Sequence, residues 1–256
     1  MAEMLRFFGR RKGKPIRSGR AELMEKWLPK LTVKIPSKGK IKLEKQFGIT
    51  PESLELEIGF GGGEHLAEMA KRQKKVGFLG AEPFQNGVAS LLAHLNGSHT
   101  TGFGELKLEA ERVDNVRVWP GDIRELFDKF PDGCFKKIYL LYPDPWPKKR
   151  HAERRFINSY NIPHLYRLLA DDGELILATD VAPYVEWTLE KMAESGLFKQ
   201  TKKAIHTPPK EWIPTRYEKK GIAAGRTPTY LIFKKKTKKV KKVLDESKKI
   251  RHDRVI

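Results

Sequence analysis

The chain has 256 residues with 51 Lys and Arg against 32 Asp and Glu, a formal charge of +19, so it is long enough for one large α/β domain and suited to a polyanion, nucleic acid or an anionic membrane surface. Its one cysteine, Cys134, excludes an intrachain disulfide and a multi-thiolate zinc site, and its seven histidines form no paired-ligand motif, so no metal is expected and a reducing compartment, the cytoplasm, is the expected location. No apolar run is long enough to span a bilayer, and the start lacks the apolar core of a secretory signal, so no membrane partner is expected.

The excess charge sits at the two ends. Residues 1–20 hold seven Lys and Arg with one acid, and residues 234–256 hold eleven with three acids. The expected organisation is therefore a flexible basic arm (1–20), one domain (21–233) and a basic tail (234–256). Both ends suit RNA phosphates or simple solvation. Apolar Leu23, Trp27 and Leu31 share one face of a helix predicted over Ala21–Leu31, and a Lys-rich connection follows over residues 32–52.

The first strand, Leu54–Ile58, runs into Gly59-Phe60-Gly61-Gly62-Gly63 before a helix over Leu66–Arg72. Glycines at a strand-to-helix turn let backbone N–H groups face a nucleotide-type ligand, or they serve the turn alone. A dinucleotide G-x-G-x-x-G counted from Gly59 fails at Glu64; the pattern present is acid-x-G-x-G-x-G, starting at Glu57. A second strand, Val76–Ala81, ends in Glu82, a carboxylate placed to accept ribose hydroxyls or to favour the N-terminus of the next helix, Gln85–Leu95.

Residues 96–114 read as a surface insertion. A third strand, Val116–Trp119, leads to Asp122, which either sits beside an adenine or caps a helix starting at Ile123. The fourth strand, Lys137–Leu141, delivers Tyr142-Pro143-Asp144-Pro145-Trp146-Pro147-Lys148-Lys149-Arg150-His151, a proline-stiffened loop with an acid, an indole and cations. A helix is predicted over Phe156–Leu169, then a fifth strand, Glu174–Ala178, ending at Asp180, an N-cap or a ligand group, and a helix over Val185–Glu194. Lys199–Ile205 and Thr227–Phe233 complete the strands, the last one antiparallel, with a loop over Thr207–Tyr217 between them. Every acid singled out follows the end of a strand, so in an open parallel sheet these acids share the ligand edge.

At this point the chain resembles a known family. Gly9-Arg10-Arg11-Lys12-Gly13, the glycine turn after Glu57, Glu82-Pro83, Gly121-Asp122, Pro143 to His151, Arg154-Arg155-Phe156, Thr179-Asp180 and Thr215-Arg216-Tyr217-Glu218 together resemble the bacterial tRNA (guanine-N7-)-methyltransferases over residues 9–233. The resemblance implies a class I, Rossmann-like methyltransferase fold: an α/β architecture with a mostly parallel seven-stranded sheet, one strand antiparallel, and helices on both faces. It implies S-adenosylmethionine as cofactor, contacted by Glu57, Gly59, Gly61, Glu82, Asp122 and Asp144, with Asp144 as the catalytic carboxylate. Lys148, Asp180, Thr215, Arg216, Tyr217 and Glu218 would bind the guanine of a tRNA variable loop, at position 46 of the tRNA. Arg10, Arg11, Lys12, Trp146, Lys149, Arg150, Arg154 and Arg155 are the expected further RNA contacts. The chain departs from the family at Ala152-Glu153, within a stretch usually basic, and in the length of residues 96–114.

Guanine N7 carries a lone pair and no proton, so methylation there asks mainly for positioning and for a carboxylate where positive charge develops. The base must leave its stack, and Trp146 either stacks on it or packs in the core. Two rival readings are a non-catalytic RNA-binding protein with the same fold and a class I methyltransferase acting on another base or on protein. Asp144-Pro145-Trp146-Pro147 stands where such adenine or glutamine enzymes typically carry Asn/Asp-Pro-Pro-Tyr. The sequence is compatible with both a monomer and a homodimer.

Overall fold

A computed structural model describes residues 7–96 and 114–236; most of the expected insertion and nearly all of the basic tail lie outside these residues. Seven strands form one sheet: β1 (Ser53–Ile58), β2 (Val76–Ala81), β3 (Val116–Trp119), β4 (Phe135–Leu141), β5 (Leu169–Thr179), β6 (Phe198–Ile205) and β7 (Thr229–Lys235). Their order is β3-β2-β1-β4-β5-β7-β6, parallel from β3 to β5, with β7 antiparallel to both its neighbours. The chain reverses direction across the sheet between β1 and β4. The ends of those two strands bound a crevice, the place where open α/β sheets hold ligands.

Side-chain alternation divides the core into two layers. Leu56, Ile58, Ile138, Leu140, Leu175 and Leu177 face one side, where they meet residues of α5 (Asn161–Leu168) and α6 (Ala182–Ser195). Phe78, Val116, Val118, Tyr139 and Ile176 face the other, against α1 (Ser18–Lys26), α3 (Glu64–Arg72) and α4 (Gln85–Leu95). Glu55 and Glu57 alternate with Leu56 and Ile58, so both carboxylates are buried on the α3 side.

Several boundaries differ from expectation for identifiable reasons. The predicted helix over Ala21–Leu31 breaks at Trp27 into α1 and α2 (Leu28–Leu31), where Pro29 opens the second piece. The Lys-rich connection is built into the core: Val33 donates its N–H to Val118, and Ile41, Leu43 and Phe47 are buried. Helix α5 starts at Asn161 rather than Phe156 because Asn158 Oδ1 accepts the N–H groups of Tyr160 and Asn161, at 3.1 and 2.9 Å. Strand β5 follows at once, five residues earlier than predicted, and β7 continues through Lys235, so the first residues of the expected tail belong to the sheet.

A seventh helix, α7 (Arg216–Ala223), was not anticipated. Thr215 Oγ1 accepts the Glu218 N–H at 3.1 Å, a threonine N-cap. No helix among the described residues is long and apolar enough to cross a membrane.

Candidate active site

A cavity of about 810 Å³ opens at the C-terminal ends of β1, β2 and β4, within the size range of small-molecule sites. Its floor is the glycine turn after β1. Gly59 and Gly61 have φ of +69° and +57°, conformations that leave the turn's amides free of helical pairing. The Gly61 N–H donates to Glu82 Oε2 at 2.7 Å, and the Phe84 N–H donates to Oε1 at 2.8 Å. Glu82 is thus fixed across the first two strand ends while its remaining lone pairs face the cavity that it lines.

Burial pushes the Glu82 carboxyl up to about 7, against the pull of its two amide donors; the charges of Asp144 and Glu57 push the same way. Helix α4 approaches this turn without a side chain between them: a Cβ on Gly87 would collide with the Gly61 carbonyl oxygen. Gly87 was not singled out from the sequence, where a glycine in a first helical turn carries no distinctive signal.

Asp122 lines the cavity and also caps the turn that starts at Ile123. Its Oδ1 accepts the Arg124 N–H at 3.0 Å, and Arg124 Nη2 approaches Oδ2 at 2.5 Å. The capping alternative is thus realised by a carboxylate that also borders the cavity. Glu57 does not reach the cavity lining. Strand alternation turns it toward α3, where Oε2 lies 2.8 Å from His65 Nδ1 and the pair is buried. Glu57, expected at the cofactor, is thus paired with α3 beneath the turn.

The loop after β4 forms the opposite wall. Asp144 reaches solvent at the mouth, yet the surrounding protein withdraws enough water to raise its carboxyl above the usual range. Trp146 has a φ of +42°, a strained setting for an aromatic residue, and its indole lines the cavity rather than the core. It meets Phe8 and His151 edge-on at 6.3 and 5.8 Å, with the Arg154 guanidinium 5.1 Å from its ring centre.

The basic residues separate by position. Arg10, Arg150 and Arg154 line the cavity, while Lys12, Lys148 and Lys149 are exposed outside its lining. Arg155, expected to contact RNA, is 7% exposed, and its guanidinium donates to the carbonyls of Pro145 and Trp146. Two of its donors are thus used inside the protein, while the residue also borders the cavity. Part of the N-terminal arm is tied down as well. The Arg11 carbonyl accepts the Gln85 N–H at 3.0 Å, and Asn86 bonds both the Gly13 N–H and the Lys14 carbonyl. Phe7 and Phe8 thereby become part of the cavity wall.

The segment from Thr215 to Glu218 divides in the same way. Arg216 and Tyr217 line the cavity, and Tyr217 packs against Gly61. Thr215 is buried as the cap of α7. Glu218, 4% exposed, accepts Tyr230 Oη through Oε1 and Trp212 Nε1 through Oε2, each at 2.8 Å. Thr215 and Glu218, expected at the guanine, thus hold α7 in this structure. Asp180 pairs with Arg226 at 2.6 Å outside the cavity lining, and Val181 rather than Asp180 is the N-cap of α6.

The family described as "Putative methyltransferase" matches residues 51–231. The tRNA (guanine-N(7)-)-methyltransferase of Rhodospirillum rubrum is 42% identical over 240 residues, covering 91% of this chain and 89% of that protein. The protein of the same name from Chelativorans sp. is 41% identical over 230 residues, covering 89% and 94%. Among solved structures, a 16S rRNA methyltransferase superposes with a TM-score of 0.53 at 12% identity, covering 80% of this chain and 97% of that one. An antibiotic-related methyltransferase gives 0.50 at 14%, covering 86% and 95%. These two likenesses concern the fold, which is that of the class I methyltransferases. Sequence similarity over nine-tenths of its length shows that this chain belongs to the tRNA (guanine-N(7)-)-methyltransferase family.

Proposed function

We propose that the protein methylates N7 of a guanine in the tRNA variable loop, with S-adenosylmethionine as donor. The observation that carries the reading is the joint placement of Glu82, the glycine turn and the Asp144 loop around one cavity. The residues fit that cofactor. Glu82 keeps unshared lone pairs for the ribose hydroxyls, Gly59 has open space in front of it, and Asp122 flanks the third strand end.

When bound, S-adenosylmethionine supplies an electrophilic methyl group on a sulfonium. The work of this chain is to orient and to stabilise. Gly59, Gly61 and Glu82 hold the cofactor end of the cavity, and Asp144 at the mouth offers negative charge where the purine becomes cationic. N7 has no proton to remove, so Asp144 acts through its charge and through orientation. Burial raises the Asp144 carboxyl above its usual range.

Trp146 and Phe8 pack together on one wall, and the half-buried Trp146 ring borders the cavity where a splayed base would enter. Arg150 and Arg154 suit phosphates beside the mouth, and the exposed Lys148 and Lys149 extend the same basic rim. Arg10, Arg11 and Lys12 of the arm and the tail from residue 234 are assigned to the tRNA backbone, around the domain of residues 21–233. Asp180, paired with Arg226, is assigned to the rim rather than to the reacting base.

The test is incubation with methyl-labelled S-adenosylmethionine and unmodified tRNA, followed by nuclease mapping and mass spectrometry. The expected product is 7-methylguanosine in the variable loop. Label in another nucleotide, in adenine or in protein would overturn the assignment, and calorimetry without cofactor binding would restore the non-catalytic reading.

A further inference from the structure

The geometry points to Arg155 as a positioning residue that sets the shape of the loop carrying Asp144 and Trp146; the inference rests on the assignment of Asp144 to the reaction. Three observations support it. The Arg155 Nε donates to the Pro145 carbonyl at 2.9 Å and Nη2 to the Trp146 carbonyl at 3.2 Å, so one planar fork spans two consecutive peptide groups. These carbonyls flank the residue held at φ +42°, a conformation that a tryptophan keeps only when its surroundings impose it. The guanidinium also lies over the Trp187 ring, 4.8 Å from its centre, and Trp187 is itself fixed by its Nε1 donating to the Ile157 carbonyl at 2.6 Å.

The neighbouring arginine shows the contrast. Both border the cavity, but the Arg154 guanidinium lies against Phe8 and Trp146 and is partly exposed, whereas Arg155 is 7% exposed and its guanidinium is bonded to two loop carbonyls. Two adjacent arginines in one basic run thus do different work. Arg154 is available to a polyanion; Arg155 holds the backbone whose side chains face the reaction. The Asn158 carboxamide closes the arrangement by donating to the Arg155 carbonyl at 2.9 Å. Asp144 immediately precedes the two bonded peptides, and among the described residues no hydrogen bond or ion pair holds its carboxylate. Its placement therefore depends on the loop backbone, and the loop backbone on Arg155.

The experiment compares full-length wild type with Arg155→Met, Arg155→Lys and Asp144→Ala, on unmodified tRNA with S-adenosylmethionine. Arg155→Met is expected to lower kcat by about 10- to 100-fold, the scale of a misplacement near 1 Å, while tRNA and cofactor affinities and the salt dependence of tRNA binding stay at wild-type values. Arg155→Lys keeps the charge and one donor but not the fork, and is expected to recover part of the loss. A weakened tRNA affinity with a flattened salt dependence and an intact kcat would show a phosphate contact and overturn the proposal. An unchanged kcat in both variants would overturn it too. If Arg155→Met does not fold, the same readouts on Arg155→Lys decide. Full turnover in Asp144→Ala would instead overturn the role of Asp144, whatever Arg155 does.

Discussion

Glu82 and Gly61 are joined by a 2.7 Å hydrogen bond that crosses from the end of the second strand to the turn after the first. A second amide, Phe84, occupies the other carboxylate oxygen at 2.8 Å, so the side chain is locked before any ligand arrives. Such preorganisation removes the entropic cost of ordering a flexible carboxylate on binding.

The first prediction concerns pH. In the folded protein Glu82 holds its proton up to about 7, against an ordinary value of 4.5. The sign follows from linkage: its contribution to stability is fully present below about 4.5 and is lost as pH rises through about 7, because the unfolded chain releases the proton first. Cofactor affinity runs the other way, since the ionised form accepts ribose hydroxyls better. Calorimetry should show affinity rising several-fold between about pH 6 and about pH 8 in wild type and a flat profile in Glu82→Gln. Identical profiles for the two proteins would remove Glu82 from the cofactor site.

A second prediction separates chemistry from binding. Asp144→Asn keeps the shape at the mouth and removes the charge, so single-turnover methylation should slow by about 100- to 1,000-fold, as for the loss of one preorganised electrostatic partner. Filter binding of tRNA should be unaffected. An equal loss of binding and turnover would assign Asp144 to docking.

Gly87 provides a third. A methyl group there would meet the Gly61 carbonyl oxygen and force α4 away from the glycine turn. Gly87→Ala should cost about 1–3 kcal/mol by overpacking and also weaken the cofactor. Gly196→Ala is the control: with φ +63° and open space around it at the end of α6, it should cost about 1 kcal/mol through backbone strain and leave cofactor affinity unchanged. Equal effects on affinity in the two variants would disconnect α4 from the cofactor site.

The fourth prediction concerns Glu218. Its two oxygens satisfy Trp212 and Tyr230 in the interior. Glu218→Gln would set an amide N–H₂ against one of these donors, at a cost of about 1–3 kcal/mol in thermal or urea unfolding. Tyr230→Phe should lower stability through the same bond. If Glu218 read the guanine directly, Glu218→Gln would keep wild-type stability while losing tRNA turnover.

The sheet and its ligand edge were legible because they depend on local patterns. Apolar runs ending in Glu82, Asp122 and Asp144 announce parallel strands, and the glycine turn after Glu57 marks a place where backbone faces a ligand. The proline-rich loop after β4 fixed both the family resemblance and one wall of the site. The fold brings Asp144, Glu82, Gly59 and Gly61 around one cavity. Even α7 had a local signal in Thr215, a threonine N-cap whose Oγ1 accepts the Glu218 N–H.

What sequence alone did not determine is where each polar side chain spends its donors and acceptors. Glu57 belongs to an acid-glycine motif, yet strand alternation sends it to His65 and away from the cavity. Arg154 and Arg155 are the same residue type one position apart and both border the cavity, yet the first lies against the Phe8 and Trp146 rings and the second is buried on two loop carbonyls. Glu218 is claimed by Trp212 and Tyr230, partners six and twelve residues away that only packing brings together. Periodicity and turn chemistry are written in neighbouring residues, so the sequence determines the strands, the turn and the basic ends. Burial and hydrogen-bond partnership are set by distant segments, so only the tertiary structure decides which charged groups face a ligand and which hold the framework in place.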